Sequence, residues 1–242
     1  MPERSATSRD MIPPAAVVIV AAGRGERFGA ADKVFAPLRG RPLLAYALDA
    51  AEQSAARDIV LVVGEHTRAA AAALVACGEW PKVRAVVTGG ARRQDSVAAG
   101  VRAVAPDIAV VAVHDGARPL AKPALFDACL AAAAESGAAI AAIPVADTLK
   151  RVAGDEIVAT VPRDGLWAAQ TPQAFRRDLL VHALASPEAG NGTFTDEAAL
   201  CEALGLSVRV VPGSRANLKV TRPDDLAIAA ALLAQLSGCD VR

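Results

Sequence analysis

A stretch near the start of the chain, AAVVIVAAGRGERFGAADK, runs from Ala15 to Lys33 and decides the fold. Its first half is apolar and includes four consecutive β-branched residues, Val17 to Val20. This run is too short for a helix and predicts a strand buried on both faces, as in a parallel sheet. The second half is glycine-rich and basic. It predicts a phosphate-binding loop at the carboxyl end of that strand, because glycines let backbone N–H groups approach an anion.

This loop does not match two common phosphate-binding patterns. The dinucleotide pattern G-x-G-x-x-G needs a third glycine where Phe28 stands, and no acidic ribose ligand follows about 20 residues later. No Gly-Lys-Ser/Thr follows, which argues against a Walker loop. A plain strand-to-helix turn remains the alternative. The three cations Arg24, Arg27 and Lys33 favour a phosphate-binding role.

The length, composition and net charge of the chain favour a globular protein that binds a small anionic ligand. The chain has 242 residues, 53% of them hydrophobic, and a net charge of +0. This length suits one large α/β domain, predicted over residues 15–242 after a disordered leader at 1–14. Zero net charge argues against a nucleic-acid partner and leaves a small anionic ligand. No apolar run reaches the roughly 18–20 residues that a membrane-spanning helix needs.

The cysteines and histidines suggest neither a zinc site nor a redox motif. None of the four cysteines forms C-x-x-C, and the three histidines are far apart. We interpret the cysteines as free thiols in a reducing compartment and expect a cytoplasmic protein. His66 lies near the start of a predicted alanine-rich helix, 66–77, and is interpreted as an exposed polar residue and not a ligand.

Short apolar runs alternate with helical patterns along the chain. The predicted strands are 17–20, 58–63, 83–87, 108–113, 138–145 and 207–211. Such alternation predicts a doubly wound α/β fold with a mostly parallel central sheet and helices on both faces. Near the C-terminal third, we expect Trp167 and Phe175 to be core residues, 186–192 to be a loop, and Thr195 to cap the helix that follows it.

Two further predicted strands end in residues suited to binding anions. After 83–87 come Gly89 and Gly90 and then Arg93 and Ser96, which could contact a phosphate or a base. The alternative is a simple helix cap made by Asp95 or Ser96. After 108–113 come Asp115 and Arg118.

Asp115 and Arg118 have distinct expected roles. Ligands of open α/β sheets bind at the carboxyl edge, where these residues lie. A lone carboxylate beside a phosphate site is a natural Mg²⁺ ligand, so we assign that role to Asp115. Arg118 could grip a second phosphate through two parallel hydrogen bonds.

The segment 148–163 departs from the α/β pattern. Two alternating β-type runs flank Gly154-Asp155, which predicts a hairpin that protrudes as an arm. Thr148, Lys150 and Arg163 lie at its two ends.

Eight short motifs occur in a characteristic order between Val17 and Leu233. They are Ala21-Ala22-Gly23-x-Gly25-x-Arg27, Gly89-Gly90-x-x-Arg93-x-Asp95-Ser96-Val97, His114-Asp115-x-Ala117-Arg118-Pro119, Asp147-Thr148-x-Lys150, Arg163-x-Gly165-Leu166-Trp167, Thr171-Pro172-Gln173-x-Phe175, Thr195-Asp196-Glu197 and Asn217-x-Lys219-Val220-Thr221-x-Pro223-x-Asp225-Leu226. In this order and spacing, the chain resembles the 2-C-methyl-D-erythritol 4-phosphate cytidylyltransferases of the non-mevalonate isoprenoid pathway.

The resemblance implies a Rossmann-like nucleotidyltransferase fold and a Mg²⁺-dependent transfer of CMP from CTP to methylerythritol phosphate, with release of pyrophosphate. It implies catalytic roles for Arg27 and Lys33. The implied nucleotide-binding residues are Ala21, Ala22, Gly23, Gly25, Gly90, Arg93 and Ser96. The implied substrate-binding residues are Asp115, Arg118, Thr148, Lys150, Arg163, Thr171 and Lys219. It also implies a homodimer joined through the arm, with Thr148 and Arg163 acting in the neighbour's site.

The chain departs from the family pattern beside the catalytic lysine. The usual Pro-Lys-Gln is replaced by Asp32-Lys33-Val34, and Ala91 stands where an acid is common. The nearest alternative function is a ribitol-phosphate or other polyol-phosphate cytidylyltransferase. Alternatives from other classes are a catalytically inactive nucleotide-binding or scaffold protein and a Rossmann dehydrogenase.

Overall fold

The computed structural model describes residues 12–23, 28 and 32–238. Arg24, Gly25 and Arg27 of the glycine loop lie outside the described residues, as do residues 1–11 of the predicted leader. The strands are β1 Ala15–Ala21, β2 Pro37–Leu38, β3 Arg41–Pro42, β4 Asp58–Val63, β5 Val83–Thr88, β6 Val110–Asp115, β7 Ala138–Pro144, β8 Leu149–Ala153, β9 Glu156–Val161, β10 Trp167–Arg176 and β11 Arg209–Pro212.

The α-helices lie between these strands and after them. They are α1 Leu43–Glu52, α2 Arg68–Ala76, α3 Arg93–Ala103, α4 Pro123–Ser136, α5 Arg177–Leu184, α6 Pro187–Asn191, α7 Glu197–Ala203 and α8 Pro223–Gly238. Short 3₁₀ helices span Lys33–Phe35 and Glu65–Thr67. None of the described helices is both long and apolar enough to cross a bilayer.

The central sheet has seven strands in the order β11-β7-β10-β6-β1-β4-β5. Strand β1 lies inside it, where Val18 pairs with Val60 of β4 on one side and Val113 of β6 on the other. All strands run parallel except β10, which is antiparallel to both of its neighbours. The predicted mostly parallel α/β fold is therefore confirmed.

Both faces of the sheet are covered by helices, as the apolar strand β1 predicts. Val17 and Ile19 of β1 pack with α1 and α4 on one face. Ala16 and Val18 pack with α3 and α5 on the other face. Helix α3 approaches closely, since a Cβ added at Gly100 would lie 2.4 Å from Cγ1 of Val18. The sheet is thus a rigid base whose strand ends hold fixed positions.

Strand β10 was not predicted from the sequence, and it corrects one core assignment. Phe175 is fully buried as expected, but Trp167 is 44% exposed, so its assignment to the core is wrong. The reason is that only the stretch from Gln170 to Phe175 is buried between β6 and β7. Trp167 lies at the outer end of the strand, opposite Pro144.

The start of α7 and the loop before it also differ from expectation. Asp196, rather than Thr195, is the cap of α7, and its carboxylate accepts a hydrogen bond from the Ala199 N–H at 2.9 Å. The predicted loop 186–192 contains the short helix α6, capped by Ser186. In both helices a side-chain oxygen of the N-cap residue accepts an N–H of the first turn, from Ala189 in α6 and from Ala199 in α7.

The predicted hairpin is present as β8 and β9, which form a separate two-stranded antiparallel sheet. Gly154 adopts a φ of 64° at the turn, a conformation that favours glycine. Val152, Ile157 and Val158 are more than half exposed. This arm therefore presents apolar side chains that its own chain does not cover.

The described end of the predicted leader packs against the domain. Ile12 contacts the core on the β1 side, and the Pro14 carbonyl accepts a hydrogen bond from the Ala109 N–H at 2.8 Å. Ordered structure thus begins before Ala15.

Candidate active site

A cleft of about 1190 Å³ opens at the carboxyl edge of the sheet, where β1, β4, β5 and β6 end. Its lining includes Ala21, Ala22, Gly23, Lys33, Gly90, Arg93, Ser96, Asp115 and Lys219. The structure therefore brings together nine of the residues singled out from the sequence. They come from segments that are far apart in the chain and meet because parallel strands end at one edge.

The segments that follow β1 and β5 touch each other in this cleft. A Cβ at Gly89 would lie 2.5 Å from the Ala22 Cβ and 2.6 Å from the Ser96 Oγ, so this contact requires glycine. The Ser96 hydroxyl accepts a hydrogen bond from the Gly90 N–H at 3.1 Å. The two segments form one continuous wall.

In the first turn of α3, Asp95 makes the capping contact that the sequence left as an alternative for Asp95 or Ser96. Its carboxylate accepts the Arg92 N–H at 3.1 Å and pairs with the Arg92 guanidinium. That guanidinium also donates to the carbonyls of Ala189 and Gly190, which joins α3 to α6. These contacts fix the helix end beside Arg93.

Asp115 forms the floor of the cleft and is surrounded by cations. Its Oδ2 lies 2.8 Å from the Lys219 Nζ and 3.7 Å from the Arg118 Nε, and its Oδ1 lies 3.3 Å from the Arg93 Nη2. Burial favours the neutral acid, but Lys219 and Arg93 outweigh it and lower the pKa of Asp115 well below its usual range. The carboxylate therefore stays charged in a buried position.

Lys219 and Arg118 hold Asp115 from different sides. The Lys219 side chain is 40% exposed and lines the cleft, so it can reach a ligand. Arg118 is nearly buried behind Asp115, and its Nη1 donates to the Asn217 carbonyl at 2.7 Å. Burial lowers the pKa of Arg118, against the opposing effect of Asp115.

Arg93 joins the floor to a buried acid that sequence reasoning did not include in the site. Its Nη1 donates to the Glu197 Oε1 at 2.5 Å, while its Nη2 reaches Asp115. Glu197 is buried, and burial raises its pKa against the opposing effect of Arg93. The available signal was the Thr195-Asp196-Glu197 motif, which we interpreted only as a helix start.

His114 and Thr171 lie beneath the floor. Burial lowers the pKa of His114 to about 4, so the ring is neutral at pH 7. The Thr171 Oγ1 lies 3.1 Å from the His114 Nδ1 and accepts the Asp115 N–H at 3.0 Å. Thr171 is buried and holds the main chain of Asp115 in place.

Lys33 also lines the cleft, at the start of the 3₁₀ helix Lys33–Phe35. Its neighbour Asp32 pairs with His66, the Asp32 Oδ1 lying 2.9 Å from the His66 Nε2. His66 is partly exposed, as predicted, but it also lines the cleft. The contact joins segments that are 34 residues apart in the sequence.

The arm residues Thr148, Lys150 and Arg163 are exposed and do not line this cleft. The Lys150 Nζ donates to the Thr160 Oγ1 at 2.7 Å across the hairpin. Arg163 donates to the Ala146 carbonyl at the base of the arm. The described part of this chain thus does not bring these three residues to Asp115.

The described residues contain no cluster of three or more His, Cys, Asp or Glu that could hold a metal ion by itself. The donor set does fit an ion bound mainly by a substrate. Mg²⁺ commonly takes one or two carboxylates together with phosphate oxygens and water, and Asp115 is an ionised carboxylate at the cleft floor.

Comparison with known proteins identifies the relatives of this chain. The family model IspD, 2-C-methyl-D-erythritol 4-phosphate cytidylyltransferase, matches residues 15–235. A protein of that name from Synechococcus sp. is 45% identical over 222 residues, which cover 90% of this chain and 96% of that protein. Another, from Gloeobacter violaceus, is 45% identical over 221 residues, covering 90% and 95%.

Solved structures of proteins from the same family are also similar to this chain. The 2-C-methyl-D-erythritol 4-phosphate cytidylyltransferase of Thermus thermophilus is 35% identical, with a TM-score of 0.74 over 90% of this chain and 98% of that one. The 4-diphosphocytidyl-2C-methyl-D-erythritol synthase of Anaerococcus prevotii has a TM-score of 0.79 at 28% identity, over 92% of this chain and 99% of that one.

Proposed function

Because this chain belongs to the 2-C-methyl-D-erythritol 4-phosphate cytidylyltransferase family, we propose that it transfers CMP from CTP to 2-C-methyl-D-erythritol 4-phosphate. The products are 4-diphosphocytidyl-2-C-methyl-D-erythritol and pyrophosphate. The observation that carries this proposal is the cleft itself, in which Lys219 and Arg93 hold a charged Asp115 and which Lys33 also lines.

The reaction is an in-line displacement at phosphorus. A phosphate oxygen of the alcohol phosphate attacks the α-phosphorus of CTP, and the bond to the bridging oxygen breaks as pyrophosphate leaves with the electron pair. The attacking oxygen is already anionic, so no general base is required. This agrees with His114, whose pKa of about 4 and complete burial make it a structural residue.

The wall formed by the segments after β1 and β5 is the proposed cytidine site. Gly23 and Gly90 carry no side chain, so a ligand can approach the backbone there, and the Gly90 N–H donates to the Ser96 hydroxyl, which holds this segment in place. Since Ala91 replaces an acid that is common in the family, backbone groups supply the base contacts there. Lys33 and Arg27 are the proposed catalytic charges on the triphosphate, acting by electrostatic stabilisation.

The floor is the proposed site for the alcohol phosphate. Lys219 pairs with Asp115, and its side chain is partly exposed. It can therefore bind a phosphate or a hydroxyl group. Arg118 and Thr171 act behind it, Arg118 on the Asn217 carbonyl and Thr171 on the Asp115 main chain.

Asp115 is the proposed protein ligand of Mg²⁺. A bound Mg²⁺ neutralises negative charge on the triphosphate. The chain itself keeps Asp115 ionised through Lys219 and Arg93, so the ligand oxygen needs no deprotonation when the ion arrives.

A homodimer through the arm is proposed for two reasons. Val152, Ile157 and Val158 expose apolar surface on the hairpin, and Trp167 continues it at the start of β10. Thr148, Lys150 and Arg163 carry groups suited to phosphate but lie away from this chain's own cleft. In a dimer we assign Thr148 and Arg163 to the partner's site.

We also propose a cytoplasmic location and small-molecule substrates without a nucleic-acid partner. The described cysteines Cys77, Cys129 and Cys201 are free thiols, which suits a reducing compartment. The net charge of +0 offers no overall attraction for a nucleic acid.

Substrate choice is tested by measuring pyrophosphate release with CTP, Mg²⁺ and either alcohol phosphate. We expect turnover with 2-C-methyl-D-erythritol 4-phosphate and a kcat/KM with ribitol 5-phosphate that is lower by at least about 100-fold, because ribitol 5-phosphate would leave polar groups of the site unpaired. Product from ribitol 5-phosphate alone would refute the substrate assignment, and CTP binding without any turnover would favour a non-catalytic protein.

A further inference from the structure

The contact between Asp32 and His66 closes one side of the cleft. It joins the segment that follows the glycine loop to the loop after β4, with 2.9 Å between Oδ1 and Nε2. Both residues line the cleft, and Asp32 directly precedes Lys33. We call this contact the Asp32–His66 clasp.

The loop that carries His66 is itself held in place. The Thr67 hydroxyl donates to the Gly64 carbonyl at 3.0 Å, and the Thr88 hydroxyl of β5 donates to the Glu65 carboxylate at 2.8 Å. A Cβ at Gly64 would lie 2.6 Å from the His66 Cε1, so the ring folds back over this glycine. His66 is thus a fixed point to which the segment of Asp32 and Lys33 is attached.

The position of Asp32 creates an electrostatic problem that the clasp solves. A carboxylate beside Lys33 would repel a triphosphate, because like charges a few ångström apart repel each other more strongly near a protein surface than in bulk water. It would also compete with the triphosphate for the Lys33 ammonium. In the structure the carboxylate is hydrogen-bonded to the His66 ring.

We propose that His66 is a positioning residue for nucleotidyl transfer. It binds the Asp32 carboxylate away from the triphosphate and fixes the start of the 3₁₀ helix that carries Lys33. This inference rests on the proposed function, since it takes the anion beside Lys33 to be the triphosphate of CTP.

The test is a double-mutant cycle with His66→Ala, Asp32→Ala and the double variant, in which kcat and KM are measured for each substrate. For His66→Ala we expect the KM for CTP to rise about tenfold, the factor expected for one lost hydrogen bond to a charged group. The KM for the alcohol phosphate should not change. In the Asp32→Ala background, removing His66 should have no further effect, because the competing carboxylate is gone.

Two variants make the result specific. His66→Gln keeps an N–H donor and should recover most of the affinity for CTP. His182→Ala removes an exposed histidine on α5, outside the cleft, and should behave like the wild-type protein. The clasp is partly exposed, so melting temperatures of all variants should stay within about 2 °C of wild type.

An equal loss in both backgrounds, a rise in both KM values, or a matching fall in melting temperature would overturn the proposal. A KM for CTP that does not change in His66→Ala would do so as well. Calorimetric CTP binding separates this inference from the proposed function. The wild-type protein could make no CDP-alcohol while the Kd for CTP changes across the four proteins of the cycle as predicted for KM. That result would support the role of the clasp and refute the assigned reaction.

Discussion

The floor of the cleft and the hairpin arm differ in how each is held by its own chain. Asp115 is buried and contacts Lys219 and Arg93, which come from distant segments, and Arg118, which lies three residues further along the chain. Ile157 on the arm is 64% exposed, in a two-stranded sheet separate from the central one. The side chains of the floor find their partners within one chain, whereas the apolar side chains of the arm are exposed to solvent.

Because of this difference, we expect the two regions to affect different properties, the stability of a single chain and the association of two chains. Residues under the cleft should determine the free energy of unfolding of a single chain, because their contacts lie within it. Residues on the arm should hardly affect it, and their effects should appear only in association and in turnover. The following experiments test one or both of these regions, each with a matched comparison.

The largest difference is expected between two isoleucines on strands. Ile59 of β4 is fully buried beneath the cleft, and Ile59→Ala should lower the free energy of unfolding by about 4 kcal/mol, through lost burial and a cavity. Ile157→Ala, the same change on the arm, should cost about 0.5 kcal/mol or less at concentrations where the chain is monomeric. Denaturant unfolding measures both, and equal costs would contradict the contrast.

The pH dependence of stability should come from the floor. His114 has a pKa of about 4 when folded against about 6.5 for the free side chain, so the unfolded chain binds more protons between these values. Stability should therefore fall as the pH drops from 6.5 to 4, by up to about 3 kcal/mol from this group.

His114→Gln should flatten that part of the profile relative to wild type, whatever its stability at pH 7. His182→Ala, on the exposed face of α5, is the matched control and should leave the slope unchanged. The same slope in wild type and His114→Gln would remove His114 as its source.

The third comparison concerns catalysis within one chain. Lys33→Ala should lower kcat about 100-fold or more, because a charge that stabilises the transition state is lost. Lys122 is exposed and directly precedes α4, and Lys122→Ala should leave kcat unchanged. Steady-state pyrophosphate release measures both, and normal turnover in Lys33→Ala would contradict its catalytic role.

The smallest expected effect tests whether the arm acts in the partner's site. Arg163→Ala should lower kcat/KM for the alcohol phosphate about 30-fold, the loss expected for a charge-assisted hydrogen bond. Lys33→Ala chains and Arg163→Ala chains are then refolded together in equal amounts. Half of the dimers should contain one chain of each kind, and one of the two sites in such a dimer has both an intact cleft and an intact arm. About a quarter of the sites should therefore regain wild-type activity. No recovery, or full activity in a monomer by light scattering, would refute the shared site.

The sequence predicted elements whose signal is local. The predicted strand 58–63 matches β4 to the residue, and the Gly154 turn located the hairpin. Strand β10 gave no such signal, because Gln170, Pro172 and Gln173 argue against a central strand. Their polar groups are satisfied by distant residues, since the Gln173 amide binds Asp196 and the Gln170 amide binds the Ser214 carbonyl.

The site was predictable to the same extent. Strand ends located Gly90, Asp115 and their neighbours at one edge, because the topology of parallel strands follows from local patterns. Glu197 and the Asp32–His66 clasp were missed, because each depends on a partner that is far away in the sequence. Such contacts are formed by the three-dimensional packing of elements, which no local pattern encodes.

Strand β10 also has a mechanical consequence. It begins at the exposed Trp167 near the arm and runs into the middle of the sheet, where it pairs with β6 and where Thr171 holds the Asp115 N–H. The arm is therefore linked to the floor of the cleft through one strand, whose pairing with β7 shifts register between Ala169 and Gln173, around Thr171. A contact that holds the arm in place should therefore also restrict the movement of the cleft floor.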